Sequence, residues 1–143
     1  MQQTWVVVAD SSRARIFART GRDAELQEIA DLVHPESRSP GRDLTADRPG
    51  RTFNSLGRTR HAKQPKHSAH EIAMQDFAED VAHLLDRGRK NRNFQKLILV
   101  AGPRFLGRVR QHLRPATAAL IESEVHKNLV RRSEKTIRAH LAM

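Results

Sequence analysis

A stretch in the middle of the chain, residues 34–67, restricts the possible folds more than any other feature of the sequence. It holds four of the six prolines and three of the seven glycines, and its only sizeable apolar side chains are Leu44, Phe53 and Leu56. Such a segment buries too little apolar surface to support regular structure. A long structureless insertion in a compact domain is usually either functional or disordered.

The residues before this segment predict three antiparallel strands. Residues 5–8 form an apolar, mostly β-branched run, turn-forming residues follow at 10–12, and residues 14–17 resume the apolar pattern. This arrangement is typical of a β-hairpin. A third strand is predicted between a turn at residues 21–23 and Val33, with a bulge because the apolar alternation slips.

The residues after the segment begin with a predicted long helix. Ser68 and Glu71 match the S-x-x-E capping box, and apolar residues recur every four positions from Ala73 to Leu85. The helix is therefore predicted to begin at Ser68. It is predicted to end near Gly88, which suits a left-handed C-cap.

The rest of the chain predicts two more strands and two more helical segments. Residues 96–101 form a continuous apolar run, which is typical of a strand covered on both faces. A helix is predicted with Pro103 in its first turn, and Pro115 interrupts it. A last strand at 121–125 and a terminal helix capped by Ser133 follow.

This order of elements predicts an α/β fold with one domain over residues 1–143. The expected architecture is a mixed sheet of about five strands flanked by helices, with the long basic loop between the third strand and the first long helix. The length of 143 residues fits one domain with a single core.

The amino-acid composition of the chain limits the classes of function that it can have. Lysine and arginine outnumber aspartate and glutamate by 26 to 16, a net charge of +10 that attracts polyanions such as nucleic acid or acidic lipid. The absence of cysteine excludes disulfides and thiol catalysis. The first ten residues do not match a signal peptide, and no stretch has membrane-spanning length, so we expect a cytoplasmic location.

Three short motifs resemble known metal, nucleotide or catalytic sites but do not match them, and we expect no cofactor and no metal. His70-Glu71 lacks the second histidine of H-E-x-x-H because Met74 stands in its place; a weak metal site at His67 and His70 is the less favoured alternative. Residues 102–109 have the glycine spacing of a P-loop but neither its lysine nor its hydroxyl. Asp10 is expected to serve a turn.

Residues 34–67 carry the one pattern for which a functional interpretation is favoured. Eight Lys and Arg face three Asp and Glu, a net charge of +5 that is half of the charge of the chain. Arginine makes bidentate contacts with phosphate, and Phe53 is the only aromatic side chain available for stacking, which favours backbone over sequence recognition. The predicted nucleic-acid-binding residues are Arg38, Arg42, Arg48, Arg51, Arg58, Arg60, Lys63, Lys66 and His67.

Several stretches of the sequence resemble a bacterial family, the host attachment proteins. These are WVVVADSSRARIF, KLILVAGPRFLGRVRQHL and EVHKNL, together with the basic loop before a capped helix. The resemblance covers nearly the whole chain. The family pattern favours Lys-Asp where this chain has Lys127-Asn128, so a role that depends on that carboxylate does not carry over.

That family in turn resembles the middle domain of archaeal and eukaryotic peptide-chain release factors, mainly in the order of elements. The resemblance implies a link to the ribosome. In release factors the equivalent loop carries a Gly-Gly-Gln tripeptide, whereas here Gln64 stands between Lys63 and Pro65. Peptide release is therefore not expected.

Three hypotheses about function remain open. The leading one is a non-enzymatic RNA-binding or ribosome-associated protein that contacts the phosphate backbone through its basic loop. The second is a surface or stress-related interaction protein whose loop binds acidic lipid or polysaccharide. The third is a metal-dependent nuclease that uses Asp10 and carboxylates of the long helix, although Glu71, Asp76, Glu79, Asp80 and Asp86 are expected mostly on a solvated face.

Overall fold

The computed structural model of the protein describes residues 2–21, 25–34 and 66–141, and only the backbone of residues 66–68. Over these ranges the chain forms five strands and four helices. In chain order they are β1 (Gln3–Ala9), β2 (Arg13–Thr20), β3 (Gln27–Val33), α1 (Lys66–Lys90), β4 (Lys96–Val100), α2 (Pro103–His112), α3 (Pro115–Ala118), β5 (Ile121–Val125) and α4 (Glu134–Leu141).

The five strands form one mixed sheet in the order β3-β2-β1-β4-β5. Strands β1, β2 and β3 pair antiparallel, whereas β4 pairs parallel with both β1 and β5. Parallel neighbours need a crossover, and α1 and α2 supply the two crossovers. This arrangement confirms the predicted α/β class and the mixed five-stranded sheet.

Helices cover the sheet on both faces, and β4 contributes to both cores. On one face Leu97 and Leu99 pack in a cluster with Phe77 of α1 and Phe105 of α2. On the other face Ile98 and Val100 pack with residues of the β5–α4 connection and with α4. The continuous apolar run of β4 therefore reflects burial on both sides, as predicted.

The predicted irregularity in the third strand is a bulge at Ile29. Ile16 pairs with Ala30, but the next residue, Phe17, pairs with Glu28, so Ile29 is the extra residue. Its side chain is 46% exposed. A bulge inserts one unpaired residue and shifts the alternation of faces, which explains the slipped pattern in the sequence.

Both predicted ends of the long helix are wrong by about two residues. Helix α1 begins at Lys66, so Ser68 lies inside its first turn and is not the N-cap. At the other end the helix continues through Gly88 to Lys90, and the left-handed residue is Arg92, with a φ of 60°. Gly88 is instead required for packing, because a Cβ there would lie 2.8 Å from two ring atoms of Trp5.

The C-terminal elements match their predictions more closely. Pro103 is the first residue of α2, and β5 spans Ile121–Val125 as predicted. Ser133 caps α4, since its Oγ accepts a hydrogen bond of 3.1 Å from the backbone N–H of Thr136. None of the helices over the described ranges combines the length and apolar character needed to cross a bilayer.

Arg15 of β2 ties the sheet to the connection between β5 and α4. Its guanidinium binds both carboxylate oxygens of Glu28 and also donates to the carbonyl oxygens of Val130 and Arg132, at 3.0 and 2.8 Å. The same group lies 5.0 Å from the centre of the Phe17 ring. One side chain in the quoted SSRARIF stretch thus holds together segments more than a hundred residues apart in sequence.

Candidate nucleic-acid interface

The predicted phosphate-binding residues divide into two groups. Lys66 and His67 belong to the first turn of α1, so the predicted loop is shorter at its C-terminal end than the sequence indicated. The other seven lie outside the described residues, and their assignment remains a prediction. They are Arg38, Arg42, Arg48, Arg51, Arg58, Arg60 and Lys63.

His34, the last described residue before α1, has a fixed position in the fold. This side chain is buried, and its ring meets that of Phe77 on α1 edge-on, with 5.2 Å between the ring centres. Its backbone N–H donates to the carbonyl oxygen of Ser12 at 3.0 Å. The basic segment therefore starts beside the turn that follows β1, at the carboxyl end of that strand.

Asp10 serves that turn, as predicted. Its Oδ1 accepts hydrogen bonds from the backbone N–H groups of Ser12 and Arg13, at 2.9 and 2.8 Å, and from the Ser12 hydroxyl. This is an Asx turn, in which the carboxylate replaces a backbone acceptor.

The glycine-spaced motif at the start of α2 forms ion pairs with α1. Arg108, which stands at the position of the P-loop lysine, donates to Glu71 at 2.8 Å and to Gln75 at 2.7 Å. Arg104 pairs with the other carboxylate oxygen of Glu71. Both guanidinium groups thus already bind a carboxylate, so the motif joins two helices.

Asp86 is buried, which contradicts its expected place on a solvated face of α1. Its Oδ1 accepts a hydrogen bond of 2.6 Å from the Thr117 hydroxyl and a weaker one of 3.3 Å from the Arg114 N–H. The Thr117 hydroxyl in turn accepts from Nε of Arg89 at 2.8 Å. The carboxylate therefore joins α1 to the start of α3, where a helix needs partners for its first N–H groups.

The described part of the chain contains no group of three His, Asp or Glu side chains that could hold a metal ion. A small pocket beneath α2 is lined only by apolar residues, among them Val7, Leu99 and Phe105. It belongs to the core and presents no polar group to a ligand.

A second cationic feature, which was not predicted as a site from the sequence, lies at the other end of α1. Residues 87–96, here called the basic corner, contain five Lys and Arg and no carboxylate. Arg87, Lys90 and Arg92 are exposed, and Lys96 is half-buried at the first position of β4. The run RGRKNRNFQK was the available signal, but arginines at such a position are also typical of a helix C-terminus.

The basic corner differs in its pairing from five arginines that the fold holds in ion pairs. Arg13, Arg15 and Arg110 bind carboxylates of neighbouring strands, and Arg104 and Arg108 bind Glu71. For Arg87, Lys90, Arg92 and Lys96, no carboxylate of the described ranges lies within ion-pair distance. The basic corner is therefore a local concentration of exposed charge that ion pairs do not compensate.

Comparison with solved structures finds proteins that contain a similar fold. An archaeal translation termination factor, aRF1, aligns with a TM-score of 0.50 at 12% identity, over 97% of this chain and 36% of that one. A structure described as an archaeal protein aligns with a TM-score of 0.46 at 12% identity, over 96% of this chain and 35% of that one. The chain thus spans about a third of the solved proteins that it matches, and the likeness concerns the fold alone.

The sequence itself identifies the family. The profile described as "Protein required for attachment to host cells" matches residues 5–141, which is nearly the whole chain. The protein belongs to this family, as the quoted stretches of sequence predicted. A search of the curated protein sequences finds no significant match.

Proposed function

We propose that the protein is a non-enzymatic RNA-binding protein of the host attachment family that associates with the ribosome and contacts phosphate through residues 34–67. The observation that carries the proposal is the distribution of charge. Half of the net charge of +10 lies in this one segment. The arginines that the fold itself uses, such as Arg15 and Arg108, are bound to carboxylates.

A segment of this composition suits the recognition of a phosphate backbone. Each guanidinium is a planar donor that matches phosphate oxygens, and each neutralised phosphate releases counterions. The interleaved glycines and prolines prevent the segment from burying its charges in a core of its own. Binding is therefore expected to depend on charge and salt far more than on RNA sequence.

The comparison with a translation termination factor favours the ribosome as the source of the RNA. This support is limited to the fold, since the matching structure is 12% identical and this chain covers 36% of it. The missing Gly-Gly-Gln tripeptide separates the proposal from peptide release.

Sedimentation with ribosomes tests the proposal. The natural chain is compared with a loop-neutralised variant, in which the six arginines from Arg38 to Arg60 and Lys63 are all changed to glutamine. We expect the natural chain to sediment with ribosomes at about 50 mM salt and to be released by about 200 mM. The loop-neutralised variant is expected to stay in the supernatant at both concentrations. Equal sedimentation of the two chains would contradict the proposal.

The description of the family, which names attachment to host cells, supports a second candidate. In this alternative the same cationic segment binds acidic lipid or polysaccharide at a cell surface. Cell fractionation distinguishes the two, because a pool that follows the ribosomes supports the RNA hypothesis and a pool at the envelope supports the alternative.

A further inference from the structure

We propose that the basic corner is a second, preformed binding surface for the phosphate backbone of RNA, separate from residues 34–67. The inference shares its ligand class with the proposed function and rests on it in that respect. It depends on different residues, however, all of which belong to the described fold.

The basic corner lies at the opposite end of α1 from Lys66. Residues 34–67 join α1 at Lys66, whereas the basic corner begins in its last turn. A helix of 25 residues is about 37 Å long at about 1.5 Å per residue. A ligand that contacts both ends of α1 must extend along the helix, which a nucleic-acid chain does.

The backbone of the basic corner is held in place by its own contacts. Phe94 is buried against Trp5, with 4.7 Å between the ring centres. Gln95 and Gln3 exchange two hydrogen bonds of 2.8 and 2.9 Å. Because the cations stand on a fixed backbone, binding has to order their side chains but not the main chain that carries them.

The exposed cations are not needed to cap the helix. The carbonyl oxygens of Arg87, Gly88 and Arg89 accept hydrogen bonds of 2.9 Å from the backbone N–H groups of Asn91, Asn93 and Arg92. This is the Schellman arrangement, which satisfies three of the last four carbonyls of α1 without side chains. The guanidinium and ammonium groups therefore remain available for an external anion.

Arg92 occupies a position where glycine is the favoured residue. It is the left-handed residue of this cap, with a φ of 60°, and a side chain in this region is disfavoured relative to glycine. Backbone strain of this kind tends to occur at functional positions. A glycine would relieve the strain, so the presence of arginine is consistent with selection for its charge.

The composition of the basic corner favours RNA over a membrane surface. Its one large apolar residue, Phe94, is 2% exposed, so nothing at this corner can insert between acyl chains. The exposed large apolar side chains of the described ranges are Ile29 and Val33, on the edge strand β3.

The test uses the full chain and a polyuridine RNA of fixed length. A corner variant carries Arg87→Gln, Lys90→Gln and Arg92→Gly. A matched control removes three exposed cations near α4, with Arg131→Gln, Arg132→Gln and Lys135→Gln. Affinity is measured over a series of salt concentrations, and the slope of log K against log salt gives the number of phosphates that the protein neutralises.

We expect the slope to fall by about 2 in the corner variant, at about 0.7 for each phosphate that is no longer neutralised, and to change little in the control. Equal slopes for the two variants, or weaker binding of the corner variant to anionic lipid vesicles but not to RNA, would overturn the inference. Arg92→Gly alone provides a check that does not depend on correct folding of the triple variant. It is expected to raise the thermal midpoint while it lowers the slope by about 0.7.

Failure of this inference can be distinguished from failure of the proposed function. If residues 34–67 do not bind RNA, the loop-neutralised variant binds as the natural chain does while the corner variant remains weaker. If the basic corner does not bind RNA, only the loop-neutralised variant is impaired.

Discussion

Gly88 of α1 lies directly against the indole ring of Trp5 on β1. A Cβ at Gly88 would be 2.8 Å from two ring atoms of Trp5 and 3.1 Å from an atom of Phe94. Both aromatic side chains are buried, so neither ring can swing out into solvent. This close approach sets how near α1 lies to the sheet at the basic corner.

Gly88→Ala is therefore expected to destabilise the protein even though alanine favours helix. Overpacking costs about 1–3 kcal/mol, whereas the gain in helix propensity is about 1 kcal/mol. We expect a net loss of about 1 kcal/mol in the free energy of unfolding, measured by urea denaturation. Gly107→Ala in α2 is the matched control, because nothing lies within 4 Å of its added Cβ. It should stabilise the protein; if Gly88→Ala does the same, the packing argument is wrong.

Arg15→Ala is expected to cost about 2 kcal/mol, because it removes hydrogen bonds to Glu28 and leaves the carbonyl oxygens of Val130 and Arg132 without this donor. Arg13→Ala removes a comparable bidentate pair with Asp31, in which both side chains are more exposed. Exposed pairs contribute about 0–1 kcal/mol. Chemical denaturation of the two variants should separate them, and equal losses would argue against a special role for Arg15.

Thr117→Val tests the buried hydrogen bonds between α1 and α3. The substitution keeps the shape of the side chain but removes the hydroxyl that donates to Asp86 and accepts from Arg89. The buried Asp86 Oδ1 then keeps only the weaker bond of 3.3 Å from the Arg114 N–H. Loss of a hydrogen bond to a buried charged group costs about 1.5–3 kcal/mol, so we expect a loss of about 2 kcal/mol. Asp86→Asn in the Thr117→Val background should then have a smaller effect than in the natural chain. Additive losses would show that the two groups are not coupled.

Glu124 is expected to contribute a pH-dependent part of the stability. Hydrogen bonds from Arg110, at 2.8 and 2.7 Å, lower the pKa of its carboxyl, and His126 lowers it further. Because the pKa is lower in the folded chain, the contribution is present above the usual glutamate pKa of about 4.3 and is lost as the pH falls through the folded value. Thermal midpoints measured from pH 7 to below about pH 4 should fall less steeply in Glu124→Gln. The side chains are partly exposed, so the effect is modest.

Several elements could be predicted because their signals are local. A strand that is buried on two faces, for example, needs a continuous apolar run of sequence. The apolar run of β4 and the cap at Ser133 are local signals, and the structure confirms both. The termini of α1 were not predictable in this way. Gly88 resembles a C-cap in sequence, but its role is set by Trp5, more than eighty residues away.

No local feature of the sequence predicts that Asp86 is buried. Its burial depends on Thr117 and Arg114, which reach it only when α3 packs against α1. The basic corner, by contrast, was visible in the sequence as a run of cations. Its interpretation required the backbone hydrogen bonds that cap α1, since these show that the cations are not needed as caps.

Filter binding of RNA over a series of salt concentrations tests the role of residues 34–67 most directly. The natural chain is compared with the loop-neutralised variant and with a chain in which residues 38–63 are shuffled, so that their composition and charge are kept. If the segment reads only the phosphate backbone, the shuffled chain should bind as the natural chain does. The loop-neutralised variant should lose up to about 5 from the slope of log K against log salt, at about 0.7 for each phosphate. An unchanged slope in the loop-neutralised variant would contradict phosphate binding by this segment.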